Sequence, residues 1–366
     1  MFSGSYLRED VTFLLKVIDL PPLDIAEKER LIQSGQRHYS EMISWEAPPS
    51  SAYLALFHEA FQENRGRLAE DLLRLARAVD AGRRGDVTIV SLARAGTPIG
   101  VLLARILRRH FHREAAHYSV SIIRDRGIDE VALRHILEED GRSPESVVFV
   151  DGWTGKGVIA RELDRFVRAY NRRHGVSLDP QLYVVADIAG VSGVAATGAD
   201  YLIPSSILNA VVSGLVSRSI LNDRYIGEGD FHGCLFYEEY APMDLSRWFV
   251  DAVADEVARC YDEGGEANGV CLSEAAKERL RRGNRAFLDQ CAREYGMENP
   301  DHIKVGIGET TRVLLRRVPG RILVQNREDR SVRHLVHLAG EKGVPVEEAA
   351  ELPYAAAAFI RSVKTL

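Results

Sequence analysis

The sequence predicts an α/β fold: a mostly parallel sheet with helices on its faces, followed by a small second α/β module. Three observations carry that reading. From Asp86 onward, short apolar runs rich in β-branched residues alternate with amphipathic helical patterns. Two of the expected strands run into Gly-containing turns that open helices, Ala93-Arg94-Ala95-Gly96-Thr97-Pro98 and Asp151-Gly152-Trp153-Thr154-Gly155-Lys156-Gly157. After Pro300 the alternation starts again on a smaller scale.

Taken in order, residues 1–50 read as irregular, broken by Pro21-Pro22 and Pro48-Pro49. A helix is expected from Ser51 to about Ala81, with Leu54, Phe57, Phe61, Leu68, Leu72, Leu75 and Val79 on one face and a break at Gly66. The expected strands are 86–92, 117–123, 147–151, 181–187 and 200–203, with helices near 98–110, 129–140, 156–173 and 205–220. Pro98 suits the first turn of its helix. Gly264-Gly265 and Gly269 mark a boundary before a connecting helix over 272–295. The last segment reads as helix Thr310–Arg317, strand Arg321–Gln325, helix Ser331–Lys342, strand Val344–Glu347 and helix Tyr354–Val363. The expected organisation is a domain over 1–262, including an N-terminal extension to 85, a helical connector over 263–300, and a C-terminal module over 301–366.

With 366 residues, 46% of them hydrophobic, the chain can bury a sizeable core. A net charge of -6 argues against a nucleic-acid binder as a whole, but from Asp301 onward eleven Lys/Arg outnumber eight Asp/Glu. The four cysteines, 234, 260, 271 and 291, show neither metal spacing nor a disulfide framework. No apolar run reaches the length of a membrane span, and the N-terminus lacks a signal pattern. The expectation is a cytoplasmic protein with reduced thiols and no membrane association, assembling as a homo-oligomer.

The stretch Val147–Gly157 concentrates the chemistry. A strand, a Gly-rich turn and a helix present backbone N–H groups and a helix N-terminus to a phosphate, and an acid at the strand tip reaches a sugar hydroxyl or a bound metal. That combination points to a phosphorylated-sugar site. A Walker A loop is excluded by spacing, since Val150 stands where Gly is needed and Gly157 where Ser or Thr is needed. The turn at Arg94, Ala95 and Gly96 lets backbone approach a second anionic group, with Arg94 supplying charge. Arg124, Asp125 and Arg126 follow the strand between these two turns and offer charge for phosphates and Mg²⁺. Asp187-Ile188-Ala189-Gly190 ends the next strand in a similar way. His232-Gly233-Cys234 is the one local Cys–His feature, and residues two apart rarely form a working dyad. His334 and His337, about one helical turn apart, have no evident third metal ligand.

The 147–157 stretch resembles the phosphoribosyl-diphosphate (PRPP) signature of type I phosphoribosyltransferases, with Gly152 in place of the second acid. More broadly, the region to about residue 262 resembles the phosphoribosyltransferase-like family that bacteria encode in tellurium-resistance and stress operons. The stretches that carry this resemblance are Gln33–Ile43, Ser91–Pro98, Arg124–Asp129, Phe149–Gly157 and Phe231–Cys234. The resemblance implies a Rossmann-like fold and PRPP-dependent phosphoribosyl transfer, a glycosyltransferase-class reaction, to an unidentified small base-like acceptor. Asp151, Arg124, Asp125 and Arg126 would then act at the reacting centre. Gly152, Thr154, Gly155, Lys156 and Gly157 would cradle the 5-phosphate, and Arg94, Ala95 and Gly96 the leaving diphosphate. Mg²⁺ would sit on the substrate near Asp151. Two alternatives remain open: a non-catalytic PRPP- or nucleotide-sensing RNA-binding regulator, and a cysteine protease, a label that some relatives carry.

The C-terminal module resembles the Pelota and ribosomal-protein type of kink-turn RNA-binding domain. Gly306, Glu309 and Arg312 align with its G-x-N-E-x-x-K run, Arg312 keeping the Lys charge and Gly308 standing where the family has Asn. The resemblance implies RNA binding at Gly306, Glu309 and Arg312. Arg316, Arg317, Arg321, Arg327, Arg330 and Arg333 add further charge for phosphates.

Overall fold

The computed structural model describes residues 1–263, 270–297 and 299–361. Its centre is a sheet of six parallel strands in the spatial order Thr12–Leu14, Ala115–Ile123, Val87–Ala93, Val147–Thr154, Leu182–Asp187 and Val194–Thr197. A short antiparallel strand, Gly127–Ile128, pairs with the end of Ala115–Ile123. Both faces are covered. Val148 and Val150 pack under the helices Ser51–Gly82, Thr97–His110 and Ser246–Asp262, whereas Val147 and Phe149 face Glu130–Arg134 and Val158–His174. Double-sided burial is why these strands read as continuous apolar runs rather than alternating ones.

The order has a consequence for ligands. From Val87–Ala93 the chain steps one way to Ala115–Ile123 and later to the other side, to Val147–Thr154. The helices that follow Val87–Ala93 and Val147–Thr154 lie on opposite faces, so the carboxyl ends of these two neighbours part into a crevice, where open α/β sheets hold ligands.

Several expectations need correction. Residues 200–203 form no strand; the sixth strand is Val194–Thr197, separated by six residues from the end of the fifth at Asp187. Residues 205–220 form no helix, only the 3₁₀ turns Pro204–Ser206 and Ala210–Val212. Pro204 opens that stretch, and Gly214 and Leu215 both take positive φ, so a continuous helix is blocked. The helix from Ser51 passes Gly66 unbroken, and Gly66 lies against Glu256 of the helix Ser246–Asp262. The first fifty residues are less irregular than expected: they supply the edge strand Thr12–Leu14 and a helix, Ile25–Gln33, capped by Asp24. The Gly264-Gly265 and Gly269 boundary lies outside the described residues.

The second module holds a four-stranded sheet ordered Ile303–Val305, Ala356–Ile360, Pro319–Val324, Val346–Glu348, with the helices Ile307–Arg316 and Arg333–Glu341. The expected helix over Tyr354–Val363 is instead the strand Ala356–Ile360, fully buried between two antiparallel partners; Val363 lies outside the described residues. Alanine's helix propensity is worth only tenths of a kcal/mol per residue, about 0.5, and a central sheet position outweighs it. The connecting helix Glu274–Tyr295 is tied to the larger sheet by Lys277 Nζ donating to Gly193 O (2.5 Å) and Arg281 to Gly190 O (2.7 Å). Its Phe287 and Cys291 share a core with Ile303, Leu323 and Tyr354 of the module.

Candidate functional site: a cationic cleft between sheet and module

The two expected binding loops do not face solvent. The carboxyl end of Val147–Thr154 is covered by the module, whose Ile307–Arg316 helix is aimed at it. A β-carbon on Gly155 would stand 2.9 Å from Val305 O and 3.2 Å from Glu309 Cγ. The Arg312 guanidinium lies 4.4 Å from the centre of the Trp153 ring and pairs with Glu309. Thus the residues expected to hold a sugar phosphate and those expected to hold RNA, Gly306, Glu309 and Arg312, meet in one cleft. Asp200 fastens the junction by accepting from Ile307 N (3.0 Å) and Ala355 N (2.9 Å).

The cleft has a volume of about 320 Å³ and continues into a narrower chamber of about 170 Å³. Among the described residues, eight Lys and Arg side chains line the larger space, among them Lys28, Lys156, Arg218, Lys304, Arg312 and Arg316, with two lining carboxylates, Asp151 and Glu309; the other two, Arg124 and Arg317, pair with Asp301 and Glu29 outside that lining. Burial pushes Lys28 down to about 7 and Lys156 to about 8, with Arg218 and Lys304 respectively adding repulsion. Arg316 is lowered to about 9 by burial and by Arg94. A desolvated cluster of like charges is costly unless an anion enters. Asp151 accepts from the adjacent Gly152 N (2.7 Å), and burial raises it to about 6 against the pull of Arg312. Burial works against Glu309 too, but Arg312 and Lys304 hold it below its usual range.

Each expected residue can now be placed. Asp151, Thr154, Gly155, Lys156 and Gly157 line the cleft, Lys156 donating to Pro300 O. Gly157 adopts φ 72° and abuts Val191, so a side chain is excluded there. Gly152 packs on Ala95, and Gly96 sits where a β-carbon would meet Val150 O at 2.6 Å; both serve close packing of neighbouring strand ends. Arg94 is not a free charge. It pairs bidentately with buried Glu46 (2.8 and 2.9 Å) and donates to Val216 O and to Asn209 Oδ1, so the expected diphosphate role is corrected. Arg124 lies at the rim, paired with Asp301 (2.8 Å); Asp125 and Arg126 point outward, Arg126 toward Glu41 (3.5 Å). Asp187 is consumed by Ala189 N, Gly190 N, Ser192 N and Ser192 Oγ.

Sequence reasoning missed Lys28, Arg218, Lys304 and Trp153 as parts of the cleft. The first three come from separate segments with no local motif. Of the six further arginines expected to meet phosphate, Arg316 and Arg317 reach the cleft, while Arg321, Arg330 and Arg333 pair with Glu347, Glu63 and Glu59 elsewhere. His334 is buried on Thr311 and His337 faces Glu341, so they form no metal pair. Cys234 is buried, and burial lifts its thiol to about 12. His232 turns away from it to Ser121 Oγ (2.7 Å).

Residues 4–254 match the family described as tellurite-like stress resistance cysteine protease StiP, and residues 282–362 match the PELOTA RNA binding domain. The chain is 39% identical to "Cysteine protease StiP" of Acinetobacter baylyi, over 99% of this chain and 95% of that protein. The chain belongs to the StiP family. Among solved structures it is similar to the alanine and glutamine mutants from an analysis of an invariant aspartic acid in HPRTs. Each is 17% identical and covers 50% of this chain and 95% of its own, with TM-scores of 0.26 and 0.27. The kinship overturns the expectation of PRPP-dependent phosphoribosyl transfer: the matched family and the relative are named as cysteine proteases. The transferase class falls with it. Among the described residues, no helix is long and apolar enough to cross a membrane.

Proposed function

We propose that this member of the StiP family binds RNA by its end, seating a phosphate-bearing terminal nucleotide in the cleft between the large sheet and the C-terminal module. One observation carries the reading. The eight cationic side chains of the cleft face two lining carboxylates, and part of its wall is the Ile307–Arg316 helix of the region matched to an RNA-binding domain. A phosphate would offset the burial, and the like-charge repulsion added to it, that depress Lys28, Lys156 and Arg316. Asp151 would accept from a ribose hydroxyl rather than touch phosphate. Titration of short RNAs carrying a 5′- or 3′-phosphate, against the same RNAs with hydroxyl ends, tests the reading. A phosphorylated end should bind about tenfold or more tightly, and Lys304→Ala with Arg312→Ala should abolish that preference. Equal affinity for both ends would sink it.

Cysteine peptidase activity is the second reading, favoured by 39% identity to a relative of that name. A nucleophile needs a thiolate and a base within hydrogen-bond reach. No hydrogen bond joins Cys234 to a histidine among the described residues, and Cys260 and Cys271, half-buried, have thiols raised by burial. Casein hydrolysis by the wild type, lost in a single Cys→Ala variant that keeps its melting temperature, would establish the activity and name the nucleophile. Hydrolysis that survives all four substitutions would exclude a cysteine mechanism.

A further inference from the structure

A second, wider groove adjoins the cleft. It measures about 900 Å³ and is walled by the Ile32–Tyr39 stretch, the Arg124–Arg126 turn and the Asn299–Lys304 segment. Tyr39, Arg124, Lys304 and Arg317 line both spaces, so cleft and groove form one continuous depression, narrow at its inner end. The terminal-nucleotide reading explains the inner end and leaves the groove unused.

We propose that the groove is a track for the nucleotides of single-stranded RNA that follow the end seated in the cleft. The inference rests on the end-binding reading and adds the class of polymer and its path. Its charge fits a backbone: five Lys/Arg side chains line it, and Glu41, Asp125 and Asp301 together with buried Glu29, which pairs with Arg317, leave the set with one net positive charge. Arg37 (3.6 Å) and Arg126 (3.5 Å) share the single carboxylate of Glu41, which leaves one positive charge of that trio uncompensated at the groove wall. His38 and Tyr39, half-buried with rings 4.5 Å apart and tilted by 44° to each other, lie along the same wall, and aromatic side chains in a basic groove are what unpaired bases stack on without sequence preference. The inner end offers a duplex no open helix face, because Trp153 covers Ile307–Arg316 where Gly308 is packed against it. An isolated strand can leave its last nucleotide in the cleft and run out between the three walls.

The test is the length dependence of binding. A 5′-phosphorylated mononucleotide, dinucleotide, tetranucleotide and octanucleotide, and a blunt duplex of the octamer, are titrated into the full chain. Affinity should climb from mononucleotide to tetranucleotide and then level off, and the duplex should bind at least about tenfold more weakly. Arg37→Glu, an exposed change remote from the cleft, should weaken the tetranucleotide about tenfold while altering the mononucleotide less than about twofold. A mononucleotide that binds as tightly as every longer strand would overturn the track and leave end binding standing. Equal affinity for duplex and single strand, or displacement of the tetranucleotide by an equally charged oligoglutamate, would also overturn it. Failure of all phosphorylated RNAs to bind would remove both readings.

Discussion

Gly308 lies directly against the indole of Trp153: a β-carbon at Gly308 would stand 2.5 Å from Cε2 and 2.6 Å from Nε1. This contact explains why glycine occupies the position where the related RNA-binding run carries Asn. The side chain there is replaced by a tryptophan from the neighbouring sheet, and the run is turned inward.

Gly308→Asn should therefore push the module off the sheet edge. Overpacking typically costs about 1–3 kcal/mol, and the contact has no free space to absorb a side chain. Tryptophan fluorescence should shift to the red and the melting temperature should fall. An unchanged spectrum and melting temperature would show that the indole moves aside freely.

The cationic cleft sets a pH dependence. Lys28, about 7 in the fold against a usual 10.5, binds fewer protons there than in the unfolded chain between those values. Stability must rise with pH across that window, and Lys156 contributes in the same sense from about 8 upward. Urea midpoints of the wild type should increase between pH 7 and 10, with a shallower rise in Lys28→Met. Anion binding has the opposite sign. It favours the protonated lysines, so RNA affinity should be greatest below pH 7 and decline through 7–8.

Asp200 should act as the latch of the module. Asp200→Ala leaves the amides of Ile307 and Ala355 without their acceptor, at a cost of about 1–3 kcal/mol. Hydrogen exchange should accelerate at these two amides and along Ile303–Val305 before it changes in the strand Val87–Ala93. Burial raises Asp200 to about 6, so the native state holds more protons than the unfolded chain between the usual carboxylate value and 6. The contribution of this group to stability is full below that range and is lost as pH rises through 6.

Cys234 should be inert. With its thiol lifted to about 12 and its side chain in the core, iodoacetamide at pH 7.5 should label Cys260 and Cys271 first and leave Cys234 unmodified until the protein unfolds. Rapid native labelling of Cys234, read by mass spectrometry, would reopen it as a nucleophile.

Much of this was legible in the chain itself. Four strands fall within three residues of their expected positions, because double-sided burial demands unbroken runs such as Val147–Val150, and the Gly turns at 96 and 152–157 stand where backbone comes closest. The Gly306–Arg312 run also stood out. What the sequence determined by itself was this local set: strands, turns, helix faces and the residue types placed at their ends, each governed by periodicity and by the backbone preferences of Gly and Pro.

Tertiary structure decided the rest. Whether Ala356–Ile360 became strand or helix depended on the two partners waiting for it, not on its own propensity. Whether Arg94 met a ligand depended on Glu46, forty-eight residues away, which consumes its guanidinium. The cleft exists only because Lys28, Asp151, Arg218 and Arg312, spread across most of the chain, are brought to one strand end. Charge clustering, burial and the pKa shifts they cause arise from through-space distances, and no local pattern encodes a distance between segments that meet only after folding.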